Sequence, residues 1–332
     1  MINVAINGFG RIGRAALKVA LDNSAVEVVA INDLGELESL AHLLKYDSVY
    51  GIYEKEVGWS ERELIVNTKK IQFFSEEDPL DLPWDTLDVD VVIESTGFFL
   101  THQKANAHLQ AGAKKVVISA PPKDEKTPIY VIGSNADKYK GEKIVSNASC
   151  TTNCVAPVMK ILDDVFGIEK SLMTTVHAYT STQNIVDGQN KDLRRGRAGA
   201  INIIPTSTGA AKATGKTIKS LEGKFDGMAM RVPIPVGSIS DITAVLSKKV
   251  DIETINKVIS DAADSTHQNI IVASEEPLVS SDIIKNPHSA IVDLPFTNVV
   301  KGDLIKVVAW YDNEWGYSNR LIELAVLIAT KR

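Results

Sequence analysis

The chain has 332 residues, 44% hydrophobic and 23% charged, which excludes a disordered segment and predicts a soluble protein of two domains. A formal net charge of −6 argues against a nucleic-acid partner, so an anionic small molecule would need a local basic cluster. No apolar run approaches the roughly 20 residues of a membrane span, and the first residues enter a strand at once, so no signal peptide is read and a cytoplasmic location is expected.

Ile2–Ile6 is a short apolar run of the kind that forms a buried strand. Ile12 to Leu21 reads as a helix and Val26–Ile31 as a second strand. This βαβ unit predicts a parallel sheet with a right-handed crossover. Between its first two elements stands Asn7-Gly8-Phe9-Gly10-Arg11-Ile12-Gly13, a Gly-x-Gly-x-x-Gly pattern in the strand-turn-helix setting of a dinucleotide site. Glycines let a backbone approach a pyrophosphate, and a helix N-terminus attracts it. Asp33 ends the second strand, twenty-five residues after Gly8. It suits both ribose hydroxyls of an adenosine and repels a 2′-phosphate, favouring NAD over NADP. A solvated turn acid is the alternative for Asp33.

Further strands are predicted at Val89–Ile93, Lys115–Ile118 and Ile129–Ile132, with a helix over Ala105 to Ala111. The first half thus alternates β and α, as a doubly wound Rossmann domain does. The domain boundary is placed near residue 149.

Ser146-Asn147-Ala148-Ser149-Cys150-Thr151-Thr152-Asn153-Cys154 precedes an apolar periodic segment, Val155 to Phe166, with Gly167 as a stop. Ser149 is a candidate N-cap, which sets Cys150 at the positive end of a helix, where a thiol pKa falls. Pro157 is expected to bend this helix. Cys154, one turn further in, reads as a small buried hydrophobe. The two cysteines are read as reduced thiols, ill placed for a disulfide and too few for a zinc site, and no metal is expected. By position alone, a buried structural role for Cys150 stays open.

After Cys150 the strands lengthen: Ser171–Ala178, Gly227–Val232, Ile239–Ser247 and Leu304–Tyr311. Ile252–Ala263 reads as a helix and Glu314–Thr330 as a terminal one. The pattern predicts an α+β domain built on a mostly antiparallel sheet. His177 ends the first of these strands, but six histidines are present and the residues alone do not select it. Arg194-Arg195-Gly196-Arg197 is the basic cluster that an anion would need; a solvated or subunit-contact face is the alternative for Arg194 and Arg197.

Along its whole length the sequence resembles the glyceraldehyde-3-phosphate dehydrogenase family. The matching stretches are Ile6 to Arg14, Ser95-Thr96-Gly97-Phe98, Ser146 to Thr152, His177-Ala178-Tyr179-Thr180, Pro205 to Lys212, Arg231-Val232-Pro233 and Trp310 to Ser318. The resemblance implies oxidation of a phosphorylated aldehyde through a thioester on Cys150, with His177 as base and NAD as hydride acceptor. Inorganic phosphate then releases an acyl phosphate.

The resemblance also implies the site residues. Thr180, Thr182 and Arg231 match the site for the substrate's own phosphate; Ser149, Thr151, Arg195, Thr208 and Gly209 match that for the attacking phosphate. Leu34, Ser95, Thr96, Gly97, Ser119, Asn313 and Tyr317 join the glycine motif and Asp33 in holding the cofactor, Asn313 at the nicotinamide carboxamide. An NAD-binding domain at 1–149, onto which a C-terminal helix 315–332 packs, and a catalytic domain at 150–314 are expected. So are a homotetramer and no membrane partner.

The sequence departs from the family pattern at Gly188-Gln189-Asn190, where a proline is often found, at Ile234, where a threonine is common, and at Glu77, where an arginine is frequent. Two other functions fit parts of the pattern. Erythrose-4-phosphate dehydrogenases share the cysteine and cofactor fold but typically lack the Thr208-Gly209 pattern. A redox sensor would use Cys150 as an oxidation target.

Overall fold

A computed structural model describes residues 1–331. Arg332, which falls in the expected helix 315–332, lies outside the described residues. The chain divides into two compact units. One comprises Met1–Tyr130, Lys138–Ala148 and the chain from Ser318 on; the other comprises Val131–Asp137 and Ser149–Tyr317.

In the first unit β1 (Ile2–Asn7), α1 (Arg11–Leu21) and β2 (Val26–Asn32) form the βαβ unit. Its strands pair in parallel from Ile2↔Val26 to Asn7↔Asn32. α2 (Leu37–Lys45) follows, then the short pair β3 (Tyr46–Asp47) and β4 (Gly51–Ile52). β5 (Val57–Trp59), β6 (Glu63–Val66) and β7 (Lys69–Phe74) form an antiparallel meander. β8 (Val91–Glu94), α3 (His102–Gln110), β9 (Lys115–Ile118) and β10 (Ile144–Ser146) complete the unit.

The sheet order is β10-β9-β8-β1-β2-β7-β6-β5. From β10 to β7 every pair is parallel, and the order reverses between β1 and β8. Ligands of such sheets bind outside the carboxyl ends of the strands at this switch point. Both faces of the central strands are covered, and the strands are apolar throughout: Val4, Ala5, Ile6, Val91, Val92 and Ile93 are all fully buried.

One expected strand is absent. At Ile129–Ile132 only a single bridge forms, from Ile129 to Ser146. A turn takes the backbone instead: the N–H groups of Ser134, Asn135 and Ala136 donate to the Val131 carbonyl, and Gly133 has φ +82°.

The second unit opens with α4 (Cys150–Phe166), continuous through Pro157, and β11 (Ile168–Ala178). β12 (Ile204–Ser207), α5 (Ala210–Thr217), β13 (Phe225–Val232), β14 (Ser238–Leu246) and α6 (Ile252–Ala263) follow. β15 (Ile271–Ser274), β16 (Ala290–Asp293), β17 (Asn298–Val300) and β18 (Leu304–Tyr311) close the sheet. Its order is β12-β13-β11-β14-β18-β16-β15, with β17 on β18. Only β11–β13 and β15–β16 are parallel, so the sheet is mostly antiparallel as expected.

Along β14 alternate residues are buried, the mark of a sheet with one covered face. α4 supplies that cover, with Cys154, Val155, Val158, Met159 and Leu162 fully buried in the shared core. At roughly 1.5–3 kcal/mol for each large apolar side chain buried, this face anchors the helix whose first residue is Cys150.

α7 (Trp315–Thr330) ends at Thr330, and its residues from Ser318 on belong to the first unit. There the Lys115 ammonium donates to the Ile328 carbonyl. Among the described residues no helix is long and apolar enough to cross a membrane, and no cluster of His, Cys, Asp and Glu suits a metal ion.

Candidate active site

The glycine motif forms the turn between β1 and α1. Gly8 has φ +95°, and a Cβ there would stand 2.6 Å from the Thr96 nitrogen. A Cβ on Gly13 would stand 2.1 Å from the Gly8 carbonyl oxygen. Gly10 differs: nothing lies within 4 Å of where its Cβ would be, and it caps α1 with no side-chain hydrogen bond. Two glycines are thus required for packing, while the third leaves the helix N-terminus open to an anion.

A cleft of about 580 Å³ opens beside this turn, at the carboxyl ends of β1, β2 and β8. Asn7, Gly8, Gly10, Asp33, Leu34, Ser95 and Thr96 line it, all of them expected from the sequence. Asp33 also braces the glycine turn. Its Oδ2 accepts from the Phe9 N–H at 2.6 Å and its Oδ1 from the Gly35 N–H at 2.8 Å, tying β2 to the glycine turn. Buried Phe9 and Gly13 and half-buried Ile12 fall outside the lining. The Arg11 guanidinium is held by Asp47 at 3.3 Å and stacks on Tyr50. Gly97 (φ +80°) and Ser119 lie just beyond β8 and β9, outside the lining.

Asn32, Glu76, Glu77, Phe98, Phe99 and Lys104 also line the cleft. Below it lies a network that sequence reasoning missed. Buried Glu94 accepts from Asn7 Nδ2 at 2.6 Å, from the Thr96 N–H at 2.8 Å and from the Thr96 hydroxyl. His108 is 3.1 Å from Glu94 Oε2 through Nε2, and its Nδ1 accepts from the Trp84 indole at 3.1 Å. An indole N–H only donates, so Nε2 carries the ring proton and gives it to Glu94.

In the second unit Ser149 caps α4 as expected, its Oγ accepting from the Thr152 N–H at 3.1 Å. Cys150 is half-buried at the first turn. β11 delivers His177 beside it, with Nε2 3.3 Å from Sγ. The register that places His177 opposite Arg231 on β13 brings Arg231 Nη1 to 2.5 Å from His177 Nδ1.

The electrostatics differ from the expectation of a thiol pKa lowered by the helix start. Burial raises Cys150 above the ordinary thiol value, and Arg231 and the Thr151 N–H only partly offset it. Burial, aided by the Arg231 charge, pushes His177 down to about 3. Burial therefore works against a charge on either member of the pair. Cys154 is fully buried, and burial raises its thiol further.

The hydroxyls around the pair separate into two groups. Thr151 Oγ1 turns inward to the Tyr311 hydroxyl at 2.9 Å, which also meets Thr175 Oγ1 at 2.8 Å. Tyr311 and Thr175 were not anticipated; they follow from the buried ends of β18 and β11. Thr180 and Thr182 pair through their hydroxyls at 2.8 Å on the loop after β11. Arg195 donates through Nε to Thr206 Oγ1 at 2.8 Å, and Nη2 to the Ser207 carbonyl at 3.3 Å. Thr208 Oγ1 accepts from the Ala210 N–H, and Gly209 caps α5 with no side-chain bond, leaving a second helix N-terminus open. Asn313 accepts from the Ser238 hydroxyl at 2.9 Å. It and buried Tyr317 fall in this unit rather than in the one that carries the cleft.

Residues 2–102 match the family model described as the NAD binding domain of glyceraldehyde 3-phosphate dehydrogenase, and residues 149–313 match that of its C-terminal domain. The chain is 50% identical to glyceraldehyde-3-phosphate dehydrogenase 2 of Streptomyces avermitilis, covering 99% of each chain. It is 52% identical to the glyceraldehyde-3-phosphate dehydrogenases of Mycolicibacterium smegmatis and Priestia megaterium, covering 98% and 99% of each chain. The chain belongs to the glyceraldehyde-3-phosphate dehydrogenase family.

Proposed function

We propose that the chain oxidises glyceraldehyde 3-phosphate to 1,3-bisphosphoglycerate with NAD and inorganic phosphate, through a thioester on Cys150. The observation that carries this reading is the 3.3 Å contact between a helix-start thiol and an imidazole with a guanidinium behind it. The residues of the cleft fit the cofactor: an open helix N-terminus for the pyrophosphate and a carboxylate at the end of β2 for the ribose. NAD, when bound, supplies the hydride acceptor.

The steps assigned to the chain's own residues are these. Sγ of Cys150 bonds to the aldehyde carbon while Nε2 of His177 takes the thiol proton and passes it to the aldehyde oxygen, giving a hemithioacetal. His177 then removes that hydroxyl proton as hydride leaves the carbon, and a thioester remains. A phosphate oxygen attacks the thioester carbonyl, the C–S bond breaks, and Cys150 is regenerated as the acyl phosphate departs. A base of this kind contributes about 10²–10⁴-fold.

Arg231, Thr180 and Thr182 are assigned to the substrate's phosphate. Arg195, Thr208, Gly209, Ser149 and Thr151 are assigned to the attacking one, by guanidinium forks, hydroxyls and backbone N–H groups. The cofactor roles of Asn313, Tyr317, Gly97 and Ser119 rest on family resemblance.

We further assign residues 1–149 with α7 as the cofactor domain and 150–314 as the catalytic domain. The protein is proposed to be a cytoplasmic homotetramer. Exposed Ile185, Val186, Leu193, Ile201 and Ile203 on one long loop support assembly. Initial rates of NADH formation test the reaction. Glyceraldehyde 3-phosphate should be turned over faster than erythrose 4-phosphate, only with inorganic phosphate, and faster with NAD than with NADP. Preference for erythrose 4-phosphate, or NAD binding without any turnover, would refute it.

A further inference from the structure

Trp84 and His108 are fully buried, and neither lines the cofactor cleft. They begin a hydrogen-bonded chain that runs beneath it. The Trp84 indole donates to His108 Nδ1 at 3.1 Å, and His108 Nε2 meets Glu94 Oε2 at 3.1 Å. Asn7 Nδ2 donates to the same oxygen at 2.6 Å. Asn7 Oδ1 accepts from Asn32 Nδ2 at 2.7 Å, and Asn32 Oδ1 accepts from the Glu76 N–H at 2.8 Å. The chain thus joins α3 to β8, β1, β2 and the loop after β7, the segments that frame the cleft.

The chemistry of its members fixes the direction of this chain. An indole N–H only donates and a carboxylate only accepts, so His108 between them carries its proton on Nε2. Glu94 then receives donors at both oxygens: His108 and Asn7 at Oε2, the Thr96 N–H and hydroxyl at Oε1. Asn7 must present Nδ2 to Glu94, which turns its Oδ1 to Asn32; Asn32 in turn presents Oδ1 to Glu76. Without the indole, the ring is free to carry its proton on Nδ1. Its Nε2 lone pair would then face Glu94 as a second acceptor, and it would compete for the Asn7 amide, which stands 3.4 Å away.

A second observation ties His108 to the cleft directly. Phe99 lines the cleft and meets the His108 ring edge-on, the centroids 6.0 Å apart and the planes at 69°. Asn7, Thr96 and Phe99 all belong to the lining. Each rests, directly or through Glu94, on a ring that does not.

We propose that Trp84 and His108 are positioning residues for the dinucleotide. The indole holds His108 as the Nε2–H tautomer, and the ring, through Glu94 and Phe99, holds the cleft in the shape that takes NAD. Neither residue bonds to Cys150 or His177, so they set affinity for the cofactor and not the rate of the chemical step. The inference rests on the reading of the cleft as the NAD site.

The test uses the full-length protein freed of nucleotide and titrated with NAD by calorimetry. Trp84→Phe keeps a ring against Phe74 and removes the donor. It should weaken NAD binding by about fivefold or more, as the loss of a buried hydrogen bond implies. The KM for NAD should rise to match, with kcat at saturating NAD unchanged. Long-range ¹⁵N–¹H correlations on ¹⁵N-histidine protein should show His108 protonated at Nε2 in the unsubstituted chain and at Nδ1, in part or in whole, in the variant. Should loss of the indole unfold the chain, position 108 decides. The amide of His108→Gln can accept from the indole and donate to Glu94, so this variant should bind NAD within about twofold of the unsubstituted protein, whereas His108→Leu should lose about fivefold or more.

An Nδ1–H ring in the unsubstituted protein, a kcat that falls while the KM for NAD stays fixed, or equal losses in the Gln and Leu variants would overturn the inference. NAD binding by the unsubstituted protein separates the two failures. If it binds NAD and Trp84→Phe binds as tightly, only the positioning is wrong; if it binds no NAD, the reading of the cleft has failed.

Discussion

Sγ of Cys150 and Nε2 of His177 are 3.3 Å apart, one at the first turn of α4 and the other near the end of β11, and burial opposes a charge on each. The helix start orients the thiol, but burial sets its acidity. In the proposed mechanism the imidazole takes the thiol proton during the reaction.

This has a measurable pH consequence. In the ligand-free protein, alkylation of Cys150 by iodoacetamide should rise with pH, its midpoint above that of an ordinary thiol, because burial opposes the thiolate. A midpoint below the ordinary value would show that Arg231 and the helix N-terminus outweigh burial. His177 adds a stability term. Its folded pKa is about 3 against an ordinary 6.5, so the unfolded chain binds a proton between these values that the folded chain refuses. Stability is unaffected above pH 6.5 and should fall as pH drops from there toward about 3. His177→Gln should flatten that part of the denaturation profile.

Asp33→Ala should raise the ratio of NADP to NAD turnover, since the repelling carboxylate is lost. It should also weaken NAD binding by about tenfold or more, because the Phe9 and Gly35 N–H groups lose their acceptor and the glycine turn loosens. Unchanged affinity by titration calorimetry would show that the turn holds its shape without Asp33.

Tyr311→Phe leaves the ring in place and deletes the hydroxyl shared by Thr151 and Thr175. Two buried hydroxyls lose a partner, so urea denaturation should show a loss of about 1–3 kcal/mol. If Thr151 belongs to the attacking-phosphate site, the KM for inorganic phosphate should rise with it. Loss of stability with that KM unchanged would remove Thr151 from the site.

Glu94→Gln should weaken NAD binding although Glu94 does not line the cleft. The carboxylate receives only donors: Asn7, the N–H and hydroxyl of Thr96, and His108. An amide would face some of them with its own N–H groups, costing about 1–3 kcal/mol in the cleft floor. Full NAD affinity in the variant would show that Asn7 and Thr96 are positioned by the backbone alone.

Legibility in the sequence followed the range of the physics involved. β1, α1 and β2 were readable because continuous apolar runs and the glycine spacing are local signals; Lys115–Ile118, Leu304–Tyr311 and Ile252–Ala263 were readable to the residue. The Ser149 cap of α4 was equally local. α2 has Leu37, Leu40, Ala41 and Leu44 at helical spacing, a signal that was present but not used. Ile129–Ile132 failed because apolar content does not reveal that Val131 is committed to a turn. Contacts such as Glu94–His108 and Thr151–Tyr311 join residues 14 and 160 positions apart, and only the packing of α3 and α4 on their sheets brings them together. His177 entered through resemblance alone, and the register of β11 against β13 supplies the physical reason for its contact with Arg231.

The most direct test of the thioester on Cys150 is a rapid-quench experiment on the NAD-loaded protein with glyceraldehyde 3-phosphate and no inorganic phosphate. The account predicts a burst of NADH equal to the number of active sites and an acyl adduct that peptide mass spectrometry places on Cys150. Added phosphate should discharge the adduct and restore turnover, and Cys150→Ser should show neither burst nor adduct. Steady turnover without phosphate and without an adduct, or an adduct on any other residue, would contradict it.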